Sequence, residues 1–139
     1  MKRLLPALLL AVACASAPQN PYRPQVTVDQ LNEMSFGATT AAPVGIEVQV
    51  KNTSVHPIVV RKVRIEGGLS QQYLVSPVER VITEEVPAGE TRGIRITITA
   101  VSQQGRINDP EPLNLRGFIN YTVGEQQFQD FYIFRSIVQ

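Results

Sequence analysis

The sequence predicts an all-β protein: a seven-stranded Greek-key sandwich of the immunoglobulin or fibronectin type III kind. Apolar and polar residues alternate with a period of two from Val26 to the end of the chain, as half-buried strands require. Proline, glycine and asparagine turn signals separate the alternating runs. No comparable helical period appears after the first 13 residues. The chain has one cysteine and no tryptophan, which excludes the Cys–Trp–Cys core of antibody domains.

The strands are predicted where this alternation is clearest. In the best example, Val44–Lys51, valine and isoleucine alternate with glycine and polar residues. The first strand is expected to begin at Val26. The remaining five are expected to cover Ile58–Glu66, Val78–Val86, Ile94–Ala100, Leu113–Val123 and Gln126–Val138. Arg61 interrupts the alternation of the third strand, which predicts a β-bulge. The fourth strand is expected to change phase at Val81–Ile82.

The connections carry turn chemistry that suits this fold. Gly124 and Glu125 form a two-residue loop with glycine first, which favours a type II′ hairpin and places Tyr121 opposite Phe128. A proline–glycine turn follows Val86. The polar loop 52–57 ends in a proline and connects the second strand to the third.

The N-terminus is typical of an exported protein. Lys2 and Arg3 precede an apolar run, Leu4–Ala13, which is too short for a membrane-spanning helix. The residues Ala-Val-Ala before Cys14 resemble the bacterial lipobox, which implies a signal peptide over residues 1–13 and a lipid on Cys14. By the usual sorting logic of that family, an alanine after the cysteine favours the outer membrane, facing the periplasm. Ordinary cleavage after Ala17 is the alternative, and it would remove Cys14.

Residues 14–24 are predicted to be the lipidated cysteine and a proline-rich tether, with the sandwich occupying residues 25–139. The tether has three prolines and no apolar periodicity, so we expect a semi-rigid polyproline II-like spacer. We expect the tether to hold the domain off the membrane, and Tyr22 and Arg23 are secondary candidates for binding.

The charges and the residue inventory exclude several function classes. Without Lys2 and Arg3 the chain has 11 basic and 12 acidic residues, a formal charge of −1, which argues against nucleic acid and gives no overall attraction to anionic lipid. His56 is the sole histidine, with no cysteine or glutamate nearby at ligand spacing. Glu84 and Glu85 are adjacent on a strand and therefore point to opposite faces. We expect no enzyme activity, no metal, no cofactor and no small-molecule ligand.

Three stretches resemble the group-2 late embryogenesis abundant domain, also called the water stress and hypersensitive response domain. They are Ile46–Val60, with an asparagine, a tight loop and a proline that opens the next strand; Val86–Glu90 followed by Ile94–Ile98; and the terminal hairpin Gly117–Gly124. The resemblance extends over roughly residues 25–138. It implies a folded β-sandwich linked to desiccation or stress tolerance, without known catalysis.

The last strand is the one surface that suggests a partner. Apolar side chains fall on both of its faces, and the candidate partner-binding residues are Phe128, Phe131, Tyr132 and Phe134. The long connection 102–112 is a candidate cover for the outward face, and we favour covering over docking.

Two functions follow. The first is a stress-protective, membrane-anchored envelope lipoprotein that acts through generic contacts. The second is an accessory lipoprotein that docks on an envelope protein complex through its aromatic last strand or a sheet edge.

Overall fold

The computed structural model describes residues 19–37, 39–70 and 72–137, which form two four-stranded antiparallel sheets packed as a sandwich, with no helix in these ranges. The strands are β1 Gln25–Gln30, β2 Ala41–Lys51, β3 Ile58–Gly67, β4 Tyr73–Val75, β5 Val78–Val86, β6 Thr91–Ser102, β7 Leu113–Val123 and β8 Gln126–Ile137. Sheet A has the order β1-β2-β6-β4, and sheet B has the order β5-β3-β7-β8. The predicted all-β sandwich is confirmed, and its connectivity is compatible with an immunoglobulin-like Greek key.

The core lies between the two sheets and follows directly from the alternation. In β2 every second residue from Ala42 to Val50 is fully buried, and the intervening residues face outward. The facing residues of sheet B include Ile58, Val60 and Ile119, which are also fully buried. A fully buried valine or isoleucine contributes about 1.5–3 kcal/mol relative to its exposed state, so these inward faces hold the sheets together.

Two local predictions are confirmed by the strand register. The pairing of β3 with β7 passes from Val60–Tyr121 to Lys62–Asn120, which leaves Arg61 as the extra residue of a bulge. The β7–β8 hairpin has a two-residue loop, Gly124 has a φ of 58°, and Tyr121 pairs with Phe128. Glycine is needed in this turn because side-chain-bearing residues rarely adopt a positive φ.

Two other predictions differ from the structure. The predicted phase change in β5 is absent, because Ile82 and Val86 lie on the inward side with Val78 while Val81 is 78% exposed. The predicted seven strands are eight, because β4 pairs with β6 through Tyr73, Leu74 and Val75. A three-residue strand is too short to show a period, so the alternation could not reveal it.

The strands run between two ends of the sandwich that are built differently. The near end consists of loops 52–57, 87–90 and 124–125, and the far end consists of loops 31–40 and 103–112. At the near end, loops 52–57 and 87–90 cross from one sheet to the other, and loop 124–125 connects the adjacent strands β7 and β8. At the far end the longer loops cover the opening between the sheets, with Phe36 and Met34 buried among core residues.

Asn52 joins the loops of the near end and is the one fully buried polar residue among those described. Its side-chain Nδ2 donates to the carbonyl oxygens of His56 at 2.7 Å and Val86 at 2.9 Å. Its Oδ1 accepts from the backbone N–H of Ser54 at 3.0 Å, and its own N–H donates to the carbonyl of Glu90 at 2.9 Å. All of these groups are therefore satisfied, as buried polar atoms require.

Candidate functional site: the last strand and the N-terminal segment

The four candidate residues of β8 divide between its two faces. Phe128 and Tyr132 are half-buried and Phe134 is buried, all against the core between the sheets. Phe131 points outward and is 42% exposed. The structure therefore leaves Phe131 as the candidate that lies on an open face, while the other three are packing residues of the sandwich.

The inward aromatic residues of β8 form a stacked series near the sheet edge. Phe128 stacks on Tyr121 with ring centroids 5.4 Å apart, as expected from their register. Tyr132 lies parallel to Phe134 at 6.3 Å. Offset stacking of this kind adds about 0.5–1.5 kcal/mol per pair beyond the area buried, so these rings stabilise the edge of the core.

The chain just before β1 is attached to β8, which differs from a free spacer. The side-chain Nδ2 of Asn20 donates to Tyr121 Oη at 2.6 Å, and that hydroxyl donates to Asp130 Oδ2 at 2.6 Å. Arg23 forms an ion pair with Asp130 at 3.2 Å and donates to the carbonyl oxygen of Phe131 at 2.8 Å. We call Asn20–Pro24 the clamped segment.

Aromatic contacts complete the clamped segment. The guanidinium of Arg23 lies 4.3 Å from the ring centroid of Tyr132, within the range of a cation–π interaction. Tyr132 Oη donates to the carbonyl oxygen of Pro24 at 2.7 Å. The ring of Tyr22 contacts Phe128 at 5.6 Å and His56 at 5.9 Å. The segment therefore covers part of the β8 edge beside the near end.

A sequence signal for this turn exists in the dipeptide Asn20-Pro21, which favours a turn with asparagine at its first position and proline at its second. The structure has that turn: the N–H of Arg23 donates to the carbonyl of Asn20 at 3.2 Å, and the N–H of Tyr22 donates to Asn20 Oδ1 at 2.9 Å. The polyproline II prediction overlooked it. The partner residues Tyr121 and Asp130 lie about a hundred positions away, so no local pattern indicates them.

The clamped segment buries two tyrosine hydroxyls, which changes their acidity. Burial, the hydrogen bond to Asp130 and the negative charge of Asp130 raise the pKa of Tyr121 far above its ordinary value. Burial raises the pKa of Tyr132 to about 12, although the positive charge of Arg23 opposes that shift. Both hydroxyls donate hydrogen bonds, and their raised pKa values keep them protonated at alkaline pH where an ordinary tyrosine ionises.

The outward face of β8 is open. Ile133 is 53% exposed next to Phe131, and Phe131 contacts Phe118 of β7 with ring centroids 5.0 Å apart. The expected cover by loop 102–112 is wrong, because that loop lies at the far end, where Ile107 packs against the core. This loop is hydrogen-bonded to Ser70, Gln72 and Tyr73.

The far end contains a cleft that the sequence does not indicate. It has a volume of about 480 Å³ and lies between loops 31–40 and 103–112. Its walls are mixed: Met34, Phe36 and Ile107 supply apolar surface, and Glu33 and Arg106 supply charges. No group of three or more potential metal ligands occurs within the described ranges.

The remaining predictions concern the N-terminus. Cys14, the predicted lipidation site, lies outside the described residues, as do the signal peptide and residues 15–18 of the tether. Within the part of the chain that the structure describes, no helix is long and apolar enough to cross a membrane.

Comparisons with known proteins bear on the fold. No family model matches the sequence, and no curated protein matches it. The crystal structure of the putative ApaA protein from Bordetella pertussis is similar with a TM-score of 0.55 and 19% identity, over 84% of this chain and 96% of that one. The structural genomics target SoR45 is similar with a TM-score of 0.52 and 10% identity, over 82% of this chain and 86% of that one. At these identities the likeness extends to the fold alone.

Proposed function

We propose that this chain is a non-enzymatic lipoprotein of the bacterial cell envelope, anchored by a lipid on Cys14 in the outer membrane and facing the periplasm. The observation that supports this proposal best is the lipobox-like sequence Ala-Val-Ala before Cys14, and the clamped segment makes the connection from that residue to the domain short. Asn20, which is hydrogen-bonded to the domain, lies six positions after Cys14, with five residues between them. Six positions span at most about 20 Å, so an anchored domain would stay close to the membrane rather than sample a wide volume.

The role that we assign to the anchored domain is protection of the envelope under desiccation or related stress. The resemblance to the group-2 late embryogenesis abundant domain supports it, and the β-sandwich is compatible with that resemblance. Fold alone does not determine function, so the proposal depends on an experiment.

The anchoring is tested by growing the producing bacterium with a clickable fatty acid and determining the mass of the purified protein. We expect incorporation into the wild type and none into Cys14→Ser, which should also leave the membrane fraction. A mature protein that begins at Pro18 would contradict the proposal, because it lacks the cysteine.

The role is tested by the survival of a deletion strain after drying. We expect reduced survival, restored by the wild-type gene and not by Cys14→Ser. Equal survival of the deletion strain and the parent strain under drying would contradict the protective role while leaving the anchoring intact.

A second candidate, an accessory subunit of an envelope complex, is supported by the exposure of Phe131 and Ile133. Crosslinking in intact cells distinguishes it from the first. A single stoichiometric partner that is lost with Phe131→Ser, and retained with the control Leu74→Ser on the opposite sheet, would favour docking over protection.

A further inference from the structure

Phe118, Phe131 and Ile133 form an apolar patch on the outward side of sheet B, which we call the aromatic face. Phe131 and Ile133 belong to β8, and Phe118 pairs with Phe131 across the β7–β8 ladder. These side chains lie on the side of the sheet that faces away from the core, and two of them are about half exposed. The aromatic face is therefore a surface that a partner can reach.

Arginine side chains adjoin the aromatic face. Arg64 pairs with Phe118, Arg116 pairs with Ile133, and Arg135 is exposed two residues further along β8. Arg64 and Arg116 share one carboxylate, that of Glu66, at 3.3 and 3.4 Å. Glu79 also pairs with Arg64, across the β3–β5 ladder, so three arginines adjoin the patch against two carboxylates, although the charges of the whole chain nearly cancel. The net charge of the chain is a sum over all faces of the domain, so it does not show a local excess of cations on one face.

The clamped segment lies along the strand that carries most of the aromatic face. Arg23 of the clamped segment donates to the backbone of Phe131 itself, so the segment runs along the edge of the strand that carries the aromatic face. The predicted lipidation site, Cys14, precedes Asn20 by six positions, which span at most about 20 Å when fully extended. A tether of this length allows the aromatic face to contact the bilayer that holds the anchor.

The outward side of sheet A offers an apolar pair that lacks these features. Leu74 of β4 pairs with Val101 of β6, and they are 62% and 38% exposed. In sheet A, β4 and β1 are at opposite edges, separated by three strand spacings of roughly 4.8 Å each, and the clamped segment leads into β1. The pair matches the aromatic face in exposure and differs from it in position and in its neighbours.

We propose that the aromatic face lies against the bilayer that holds the lipid anchor, with Phe131 and Ile133 at the headgroup boundary and the three arginines on anionic headgroups. The proposal rests on the anchoring proposed above. A half-exposed apolar patch with a few cations binds membranes weakly by itself. Tethering converts this weak contact into an intramolecular one at high effective concentration, so a weak contact is enough to orient the domain.

The test uses the full-length lipidated protein in vesicles of phosphatidylethanolamine and phosphatidylglycerol. A bimane label is attached to Ile133→Cys or, as the matched control, to Leu74→Cys, and a spin-labelled lipid serves as the quencher. The lipid occupies the sulfur of Cys14, so only the introduced cysteine reacts. We expect quenching to be several-fold greater at position 133 than at position 74, and to fall when phosphatidylcholine replaces phosphatidylglycerol or when Arg135→Gln is added.

Equal quenching at the two positions, or stronger quenching at position 74, would overturn the proposal in a protein that is lipidated and bound to vesicles. Protection of position 133 from labelling in intact cells, without quenching in vesicles, would also overturn it and would assign the aromatic face to a protein partner. A wild-type protein that reacts with maleimide at Cys14 would instead show that the anchoring is wrong, and the orientation would fail with it.

Discussion

At the near end of the sandwich, short loops are hydrogen-bonded to the buried side-chain amide of Asn52. At the far end, loop 31–40 places the ring of Phe36, which we call the apolar plug, between the sheets. Asn52 closes the near end by hydrogen bonds to the backbones of two loops. Phe36 closes the far end by contact: it is 1% exposed and stacks on Tyr73 with ring centroids 6.2 Å apart. One end therefore depends on directional polar contacts and the other on burial.

The two ends differ in how strictly their contacts depend on geometry. The hydrogen bonds of Asn52 are directional, so they fix the loop geometry, and a substitution leaves unpaired groups behind. The plug at the far end tolerates variation in its loops as long as its apolar side chains fill the space, because the hydrophobic effect has no direction. The far end is consequently the end that accommodates a cleft.

The largest expected effect on stability follows from removing the ring of Phe36. Phe36→Ala removes a fully buried ring, and we expect the free energy of unfolding to fall by about 3–5 kcal/mol because the cavity cannot collapse completely. Chemical denaturation measures the loss. Leu31→Ala, at an exposed position in the same loop, is the control and should change stability by less than about 0.5 kcal/mol. Equal losses in the two variants would show that the plug does not close the far end.

Removing the buried amide should cost less but still destabilise strongly. Asn52→Ala leaves the carbonyls of His56 and Val86 without their donor, and we expect a loss of roughly 2–3 kcal/mol. The exposed neighbour Thr53 supplies the control, Thr53→Ala, which should be nearly neutral. Hydrogen exchange should show the opening confined first to loops 52–57 and 87–90. Uniform loss of protection across the sheets would contradict the assignment of Asn52 to the near end.

The sequence predicts the structure of the near end better than that of the far end. The alternation in Val44–Lys51, the bulge at Arg61 and the turn at Gly124 are local signals, and they place most strands and the near-end loops correctly. The plug, the strand β4 and the far-end cleft depend on contacts between distant residues. Phe36 and Tyr73, for example, lie in segments with no period of their own, and only the closed sandwich brings them together.

The candidate site shows the same limit. The alternation correctly predicts that β8 carries apolar groups on both faces, yet it cannot say that Phe128, Tyr132 and Phe134 face the core while Phe131 faces out. The face that points inward depends on register with β7 and on the other sheet. The contacts of Arg23 with Asp130 span more than a hundred residues and have no local signature.

At the near end, the clamped segment provides a smaller perturbation. Asp130→Asn removes the charge that holds Arg23 and weakens the acceptor for Tyr121, and we expect a loss of about 1–2 kcal/mol. Faster hydrogen exchange at Tyr22 and Arg23, with the core unchanged, would identify the effect as local release. Asp29→Asn, at an exposed position of β1, is the control. If both variants left exchange at these residues unaltered, the ion pair would not hold the segment.

The smallest effect at neutral pH is expected from Tyr132→Phe, which removes one hydrogen bond, to Pro24, and should cost about 1 kcal/mol or less.

The distinguishing effect of Tyr132→Phe is expected at alkaline pH. Because the pKa of Tyr132 is raised from 10.0 to about 12, the folded state keeps a proton that the unfolded chain loses above pH 10. Stability should therefore be unaffected by this group below pH 10 and fall as the pH rises from 10 to 12. Denaturation in that range should show a shallower decline of the unfolding free energy for Tyr132→Phe than for the wild type. The remaining decline in the variant comes from Tyr121 and Tyr73, whose pKa values are also raised. Identical declines would mean that Tyr132 is accessible to water and that the clamped segment opens freely.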